Sequence, residues 1–341
     1  NVMATQSSPD AGSLTVAANK MVRTTSGSIE MAAAGDVVMA AGTGATPMQG
    51  VVYVAGTLSA NPEGANTGDR SDWQQFTSHG GRLDVTAGRD VISPAAAQLI
   101  NNWFYQTGPK ASTVAWASNF DSFKQGYGSF GGGNLTLTAG RDIVNPGVVA
   151  PTSARTVTHD GDVATYEQVV ENGGDVVVRA GRDIRGGVYF LGRGAGVIEA
   201  GGSITEGDAL SYVDPSKGET LLPKTGLVLG LMDGQWGVQS RGDLQISAVY
   251  NPTMLGFVST KNDRKTNKVV SAFDSYSKDS AVSASSVAGD LNWSVDGSND
   301  FGAAFAKWHK VVSSDQDAVK PVSGTDLSSR AELQYLPAVI F

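Results

Sequence analysis

The chain reads as an all-β solenoid: short parallel strands wound into a β-helix, interrupted by lateral loops and one short helix. Three observations predict this. A phrase recurs along the sequence, the copies fall at solenoid spacing, and the composition suits many tight turns. The phrase reads Leu83-x-Val85-x-Ala87-Gly88-Arg89-Asp90-Val91 and returns as Leu135-x-Leu137-x-Ala139-Gly140-Arg141-Asp142-Ile143 and Val176-x-Val178-x-Ala180-Gly181-Arg182-Asp183-Ile184. Weaker copies end at Gly35-Asp36-Val37, Gly202-Ser203-Ile204, Gly242-Asp243-Leu244 and Gly289-Asp290-Leu291. A fixed internal repeat is the signature of stacked architectures.

Each phrase is a strand, a turn and the start of a second strand. Leu83, Val85 and Ala87 lie on one face because strand side chains alternate sides. The Gly-Arg-Asp step makes the turn, with Gly giving backbone freedom and Asp bonding nearby amides. Asp183 to Ser203 spans 20 positions, Ser203 to Asp243 spans 40 and Asp142 to Asp183 spans 41. These intervals read as one or two coils of about 20 residues. The gaps of 54 from Asp36 to Asp90, 52 from Asp90 to Asp142 and 47 from Asp243 to Asp290 read as two coils plus an insertion. At about 4.8 Å per coil, a dozen coils predict a rod of roughly 50–60 Å.

Stacked turns place Arg89, Arg141 and Arg182 in one column beside Asp90, Asp142 and Asp183. Gly88, Gly140 and Gly181 precede them. Alternating charge turns a repulsive column into a structural ladder, although exposed pairs contribute only about 0–1 kcal/mol each.

The chain has 341 residues, 43 of them Gly, and 17% charged residues against the usual quarter. A net charge of −8 argues against nucleic acid or an anionic membrane surface as partner. With no cysteine, disulfides and Cys-based metal sites are excluded. No apolar run is long enough for a membrane span. Asn1–Thr15 lacks the pattern of a signal peptide. Tyr335–Phe341 reads as a bare apolar strand, where a solenoid needs a polar cap. The expectation is a single β-helix segment over 1–341, with more protein beyond.

Insertions are expected at about 57–81, 94–132, 206–224, 252–280 and 296–332. In the second, Ser93 and Pro94 suit the start of a short helix reaching Gln106, with Leu99, Ile100 and Trp103 on one face. The same stretch carries Trp103, Phe104, Tyr105, Trp116, Phe120, Phe123, Tyr127 and Phe130. These rings either pack the insertion onto the coils or form a platform for sugars or a neighbouring subunit. Lys261–Lys268 reads as a solvated basic tip.

Chemistry is thinly supported. Arg241-Gly242-Asp243 matches the cell-attachment tripeptide, but it falls on a repeat turn where Gly and Asp recur anyway. His159-Asp160-Gly161-Asp162 is most simply a turn, and His79, His159 and His309 are far apart. No catalytic residue, metal site or cofactor is assigned. Gly131-Gly132-Gly133 precedes a strand and so lacks the helix dipole of a phosphate site.

Several phrases resemble the filamentous haemagglutinin family of two-partner-secreted exoproteins, in the C-terminal region of large members. They are Gly131–Ile143, the Gly-Val-Tyr-Phe-Leu-Gly-Arg-Gly run Gly187–Gly194, and Ala200–Ile204. Val249–Met254 and Ser280–Val282 add further landmarks. The resemblance spans about Gly12 to Phe341. It implies a right-handed parallel β-helix, secreted or held at the surface of a Gram-negative bacterium through an outer-membrane two-partner-secretion transporter. It transfers no catalytic residue. The leading expectation is a non-enzymatic fibrous adhesin, acting in adhesion, aggregation or biofilm matrix. Its partners would be surface or matrix glycans or proteins, with head-to-tail self-association into filaments. The alternatives are a stalk for contact-dependent toxin delivery and a polysaccharide lyase on the same frame.

Overall fold

The computed structural model describes residues 2–4, 12–42, 48–58, 76–95, 103–107, 115–159, 165–208, 210–214, 218–222, 224, 226–252 and 277–293. These residues are all-β, with a 3-10 turn at Phe120–Ser122. No helix among them is long and apolar enough to cross a membrane. Twenty strands join in one parallel, nearly closed sheet system. Two hairpins and a four-stranded antiparallel sheet hang from it.

The chain repeatedly visits three faces. The first face holds the strand before each turn: Ile29–Ala33, Leu83–Ala87, Leu135–Ala139 and Val176–Ala180, then residues 196–200, 235–240 and 281–286. The second face holds the strand after the turn, from Leu14–Val16 through Val37–Met39 and Val91–Ile92 to Leu291–Asn292. The third face stacks Met21–Thr24, Val51–Val54, Gly126–Ser129, Gly147–Ala150, residues 188–191, residues 227–231 and residues 248–250.

Alternation on the first face is as read from the sequence. Leu83, Val85 and Ala87 are buried while Asp84 and Thr86 point outward. Inward residues form columns: Met31, Val85, Leu137, Val178, Ile198 and Val238 make one, and Ala33, Ala87, Ala139, Ala180 and Ala200 the next. Size is exchanged between levels. Gly196 leaves room for the Trp236 ring above it, and the Trp236 indole N–H donates to the Gly230 carbonyl at 3.0 Å. A column of equal large residues would overfill the same space.

The coil count differs from the expectation. Each recognisable phrase pairs directly with the next, Leu83 with Leu135 and Leu135 with Val176. Among the described residues, the column residues Ser13, Asp36, Asp90, Asp142, Asp183, Ser203, Asp243 and Asp290 therefore mark eight coils. That stack is about 34 Å long, from seven steps of about 4.8 Å. Intervals of 40 to 54 residues are one coil plus an insertion, not two coils. The insertions also differ from the reading. Gly126–Ser129 belongs to the third face, not to the loop at 94–132. A hairpin of Thr152–His159 with Thr165–Asn172 occurs where no insertion was expected. Phe104–Thr107 is a strand paired with Ala115–Ser118, so the helix proposed to reach Gln106 does not extend that far. Leu99 and Ile100, and the insertion at 296–332, lie outside the described residues.

Candidate functional site

Two features dominate the surface of the stack: the turn ladder and the flank.

The ladder starts from backbone geometry. Gly140 sits so close over Gly88 that a Cβ there would run into the Gly88 carbonyl oxygen, and Gly181 is stacked on Gly140 in the same way. Tight stacking brings each Arg against the Asp of the preceding coil. Arg89 Nε and Nη2 donate to the Asp36 carboxylate at 3.1 and 2.9 Å. Arg141 does the same to Asp90 at 3.1 and 2.5 Å, and Arg182 to Asp142 at 3.0 and 2.6 Å. These are two-pronged guanidinium–carboxylate pairs, the stronger class of charged hydrogen bond. The Asp142 carboxylate, by hydrogen bond and then by charge, holds the Arg182 guanidinium above its ordinary pKa.

Each column side chain has a second duty. Its oxygen accepts the backbone N–H of the column residue one coil on: Asp90 N–H to Asp36 at 3.1 Å, Asp142 to Asp90 at 3.0 Å, Asp183 to Asp142 at 3.2 Å. Ser13 and Ser203 serve as acceptors too, for Asp36 at 3.0 Å and Asp243 at 3.1 Å. Short oxygen-bearing side chains thus tie eight turns together. The sequence reading found the Arg–Asp pairs but not the role of these serines. Their signal was position: each stands where the repeat has Asp.

Arg241-Gly242-Asp243 lies in this ladder. Gly242 occupies the place of the ladder arginines, and the Asp243 carboxylate accepts the Asp290 N–H at 2.9 Å. Arg241 and Asp243 are exposed, but the turn is held by the stack rather than presented on a free loop.

The flank gathers the aromatics. Trp103, Phe104, Trp116, Phe120, Phe123 and Phe130 are buried in one cluster against Val51, Tyr53, Val149, Val188 and Phe190 of the third face. Trp103 packs edge-on to Phe123 and Phe130 with centroids 5.2 and 5.4 Å apart, and Phe104 to Phe190 at 5.4 Å. Tyr127 is not part of this cluster. It points into the coil interior at 0% exposure. The platform reading is therefore corrected for these residues. Their faces are covered because the outer side of the third face is itself apolar and needs a lid. The side chain of Tyr105 lies outside the described residues.

Two separate insertions build that lid. The strand Ala115–Ser118 pairs with Thr152–His159 at Trp116 and Ala154, giving the four-stranded antiparallel sheet. The Trp116 indole N–H donates to the Thr152 hydroxyl at 3.3 Å. At its edge, the Arg23 guanidinium lies over the Tyr53 and Phe120 rings at 5.5 and 5.4 Å.

Of the histidines, the side chain of His79 is described. His79 contacts the Ser78 hydroxyl at 2.8 Å. His159 ends its strand, while Asp160–Asp162, His309 and Lys261–Lys268 lie outside the described residues. No group of three metal-ligating side chains occurs among the described residues. Set against protein-family models, curated proteins and solved structures, the chain matches none of them.

Proposed function

We propose that the chain is a right-handed parallel β-helical segment of a secreted exoprotein resembling the filamentous haemagglutinins. It serves as a non-enzymatic adhesive rod at the surface of a Gram-negative bacterium. The observation that carries the reading is the eight-level turn ladder, built from the same phrases that carry the resemblance. Side chains at the most regular positions are spent on holding coils together, so the frame is stiff and its contacts with partners fall to the flank insertions. Several weak contacts on one rigid body add through effective concentration. Such a rod needs no reactive group of its own. It works by placing its loops at a distance from the cell that secretes it.

The test uses beads coated with the whole chain and laid over a glycan array and an epithelial monolayer. The expected result is retention that is saturable and competed by soluble chain. It should be lost after heat unfolding and weakened in a chain lacking the flank hairpin residues 155–168. Equal retention of folded and unfolded chain, or none on either surface, overturns the reading.

A further inference from the structure

We infer that Asn172–Gly173 is a self-modification site, where the Asn172 amide converts slowly to an acid and unlatches the flank sheet from a neighbouring hairpin. This goes beyond adhesion and does not depend on it.

The first observation is the dipeptide and its backbone. Asn172 is the only asparagine in the sequence that is followed by glycine. It closes the strand Thr165–Asn172 with φ at +68°, and Gly173 follows with φ at +90°. Such a turn selects these residue types, since glycine takes a positive φ freely and asparagine more readily than most side chains. At Gly173 a Cβ would also meet the Arg193 Cβ at 2.7 Å. The pair that the turn requires is also the pair most prone to ring closure, because glycine leaves its own nitrogen unshielded. That nitrogen is available here. Among the described residues the Gly173 N–H meets no acceptor, and both residues are partly open to water.

The reaction needs only water. The Gly173 nitrogen adds to the side-chain carbonyl carbon of Asn172, and its proton passes through water to Nδ2. The bond from that carbon to Nδ2 breaks, ammonia leaves and a succinimide ring remains. Water then opens the ring at either carbonyl, to aspartate or isoaspartate.

The second observation is what the amide holds. Asn172 Nδ2 donates to the Thr77 carbonyl and, at 3.3 Å, to the Ser153 hydroxyl. Thr77 belongs to the hairpin of Thr57–Leu58 with Thr77–Ser78, and its own hydroxyl donates to the Phe130 carbonyl at 3.0 Å. One amide thus ties the flank sheet to the hairpin beside the aromatic lid. An acid at position 172 has no side-chain N–H to give. Its carboxylate faces the Thr77 carbonyl, oxygen against oxygen, and a buried acceptor loses that donor. The same grip sets the rate. Ring closure turns the side chain away from Thr77 and Ser153, so it proceeds when this clasp opens locally.

Ageing the full, folded chain in heavy-oxygen water at mildly alkaline pH tests this, with peptide mass spectrometry at intervals. Heavy oxygen is expected at residue 172, in aspartate and isoaspartate together, several-fold faster than at any other asparagine. Ser153→Ala loosens the grip and should quicken the labelling several-fold. Asn172→Asp carries the product from the start. Trypsin should cut after Arg155 several-fold faster in this variant and in the aged chain than in fresh wild type. Unchanged circular dichroism of the coils establishes that both remain folded. Labelling at residue 172 no faster than elsewhere overturns the site. An aged, labelled chain that resists trypsin like the fresh one overturns the latch, and a Ser153→Ala rate equal to wild type overturns the grip.

Discussion

The first and third faces use the same in-register parallel pairing, yet they read differently in sequence and carry different loads. On the first face one side meets water, so apolar and other residues alternate, as in Leu135–Ala139. On the third face both sides are covered, and strands such as Val51–Val54 are buried at every position. Pairing alone therefore does not set the pattern of a strand; what lies beyond its outer side does. The first face depends on close approach of backbones at its turns, and the third on aromatic side chains brought by the insertion before Gly131.

The sharpest way to break this comparison is at the glycine column. Gly140→Val drives a branched side chain into the Gly88 carbonyl. We expect a loss of more than about 3 kcal/mol, at or beyond the usual cost of overpacking. Cooperative thermal unfolding should fall sharply or vanish. Gly237→Ala is the matched control. It lies on the outer side of the same face, where a Cβ would find only the Gly196 carbonyl oxygen at 3.8 Å. Its effect should stay within about 0.5 kcal/mol. Equal losses in the two variants would mean that close stacking at the turn is not what holds the first face.

The flank should fail differently. Trp103→Ala removes the ring at the centre of the aromatic lid, at a cost of about 3–5 kcal/mol for a buried aromatic. We expect the loss to fall on the lid. Limited proteolysis should cut the flank sheet early, while the far-ultraviolet signal of the coils persists. Simultaneous loss of both would make the lid part of one cooperative unit with the coils.

Smaller effects separate the two duties of the ladder. Asp90→Ala deletes both bonds to Arg141 and the acceptor for the Asp142 N–H, and should cost about 1–2 kcal/mol. Arg141→Ala leaves that N–H satisfied and removes only ion pairs, to Asp90 and at 3.8 Å to Asp36, of a side chain that is 42% exposed. It should cost about 0–1 kcal/mol, fading at high salt. Urea titrations at low and high salt measure both. If the two variants cost the same, the backbone acceptor contributes nothing.

What the sequence made legible follows from the same contrast. The first face announced itself because alternation and a Gly-Arg-Asp turn coincide, so its phrases aligned without error. The third face stayed hidden. Val148, Val149 and Ala150 are a short apolar run with no period of two, and Gly126–Ser129 lies inside an aromatic stretch that reads as loop. Without these strands, intervals of 40 to 54 residues look like two coils where there is one with an insertion. Trp103 and Phe104 looked helical or surface-bound because nothing local tells a ring that its cover is Phe190, 86 positions on. The hairpin at Thr152–Asn172 escaped for a related reason: it completes a sheet begun by another insertion.

The subtlest test concerns the coil interior beneath the third face. Tyr127 and Ser93 carry buried hydroxyls that find no partner of good hydrogen-bond geometry. Burial pushes the Tyr127 and Tyr189 phenols well above their ordinary pKa, so both stay neutral inside the coils. A phenol whose folded pKa is raised favours the folded state fully below the unfolded value of about 10. That contribution is lost as the pH climbs from there toward the folded pKa, because only the unfolded chain ionises. Stability should therefore be flat near neutrality and fall above about pH 10. Tyr127→Phe removes one of these phenols and an unpaired oxygen together. At neutral pH it should change stability by no more than about 1 kcal/mol, in the stabilising direction. Above about pH 10 its stability should fall less steeply than wild type. A marked loss at neutral pH would mean that the Tyr127 hydroxyl is bonded after all; an unchanged alkaline slope would mean that its ionisation does not limit the fold.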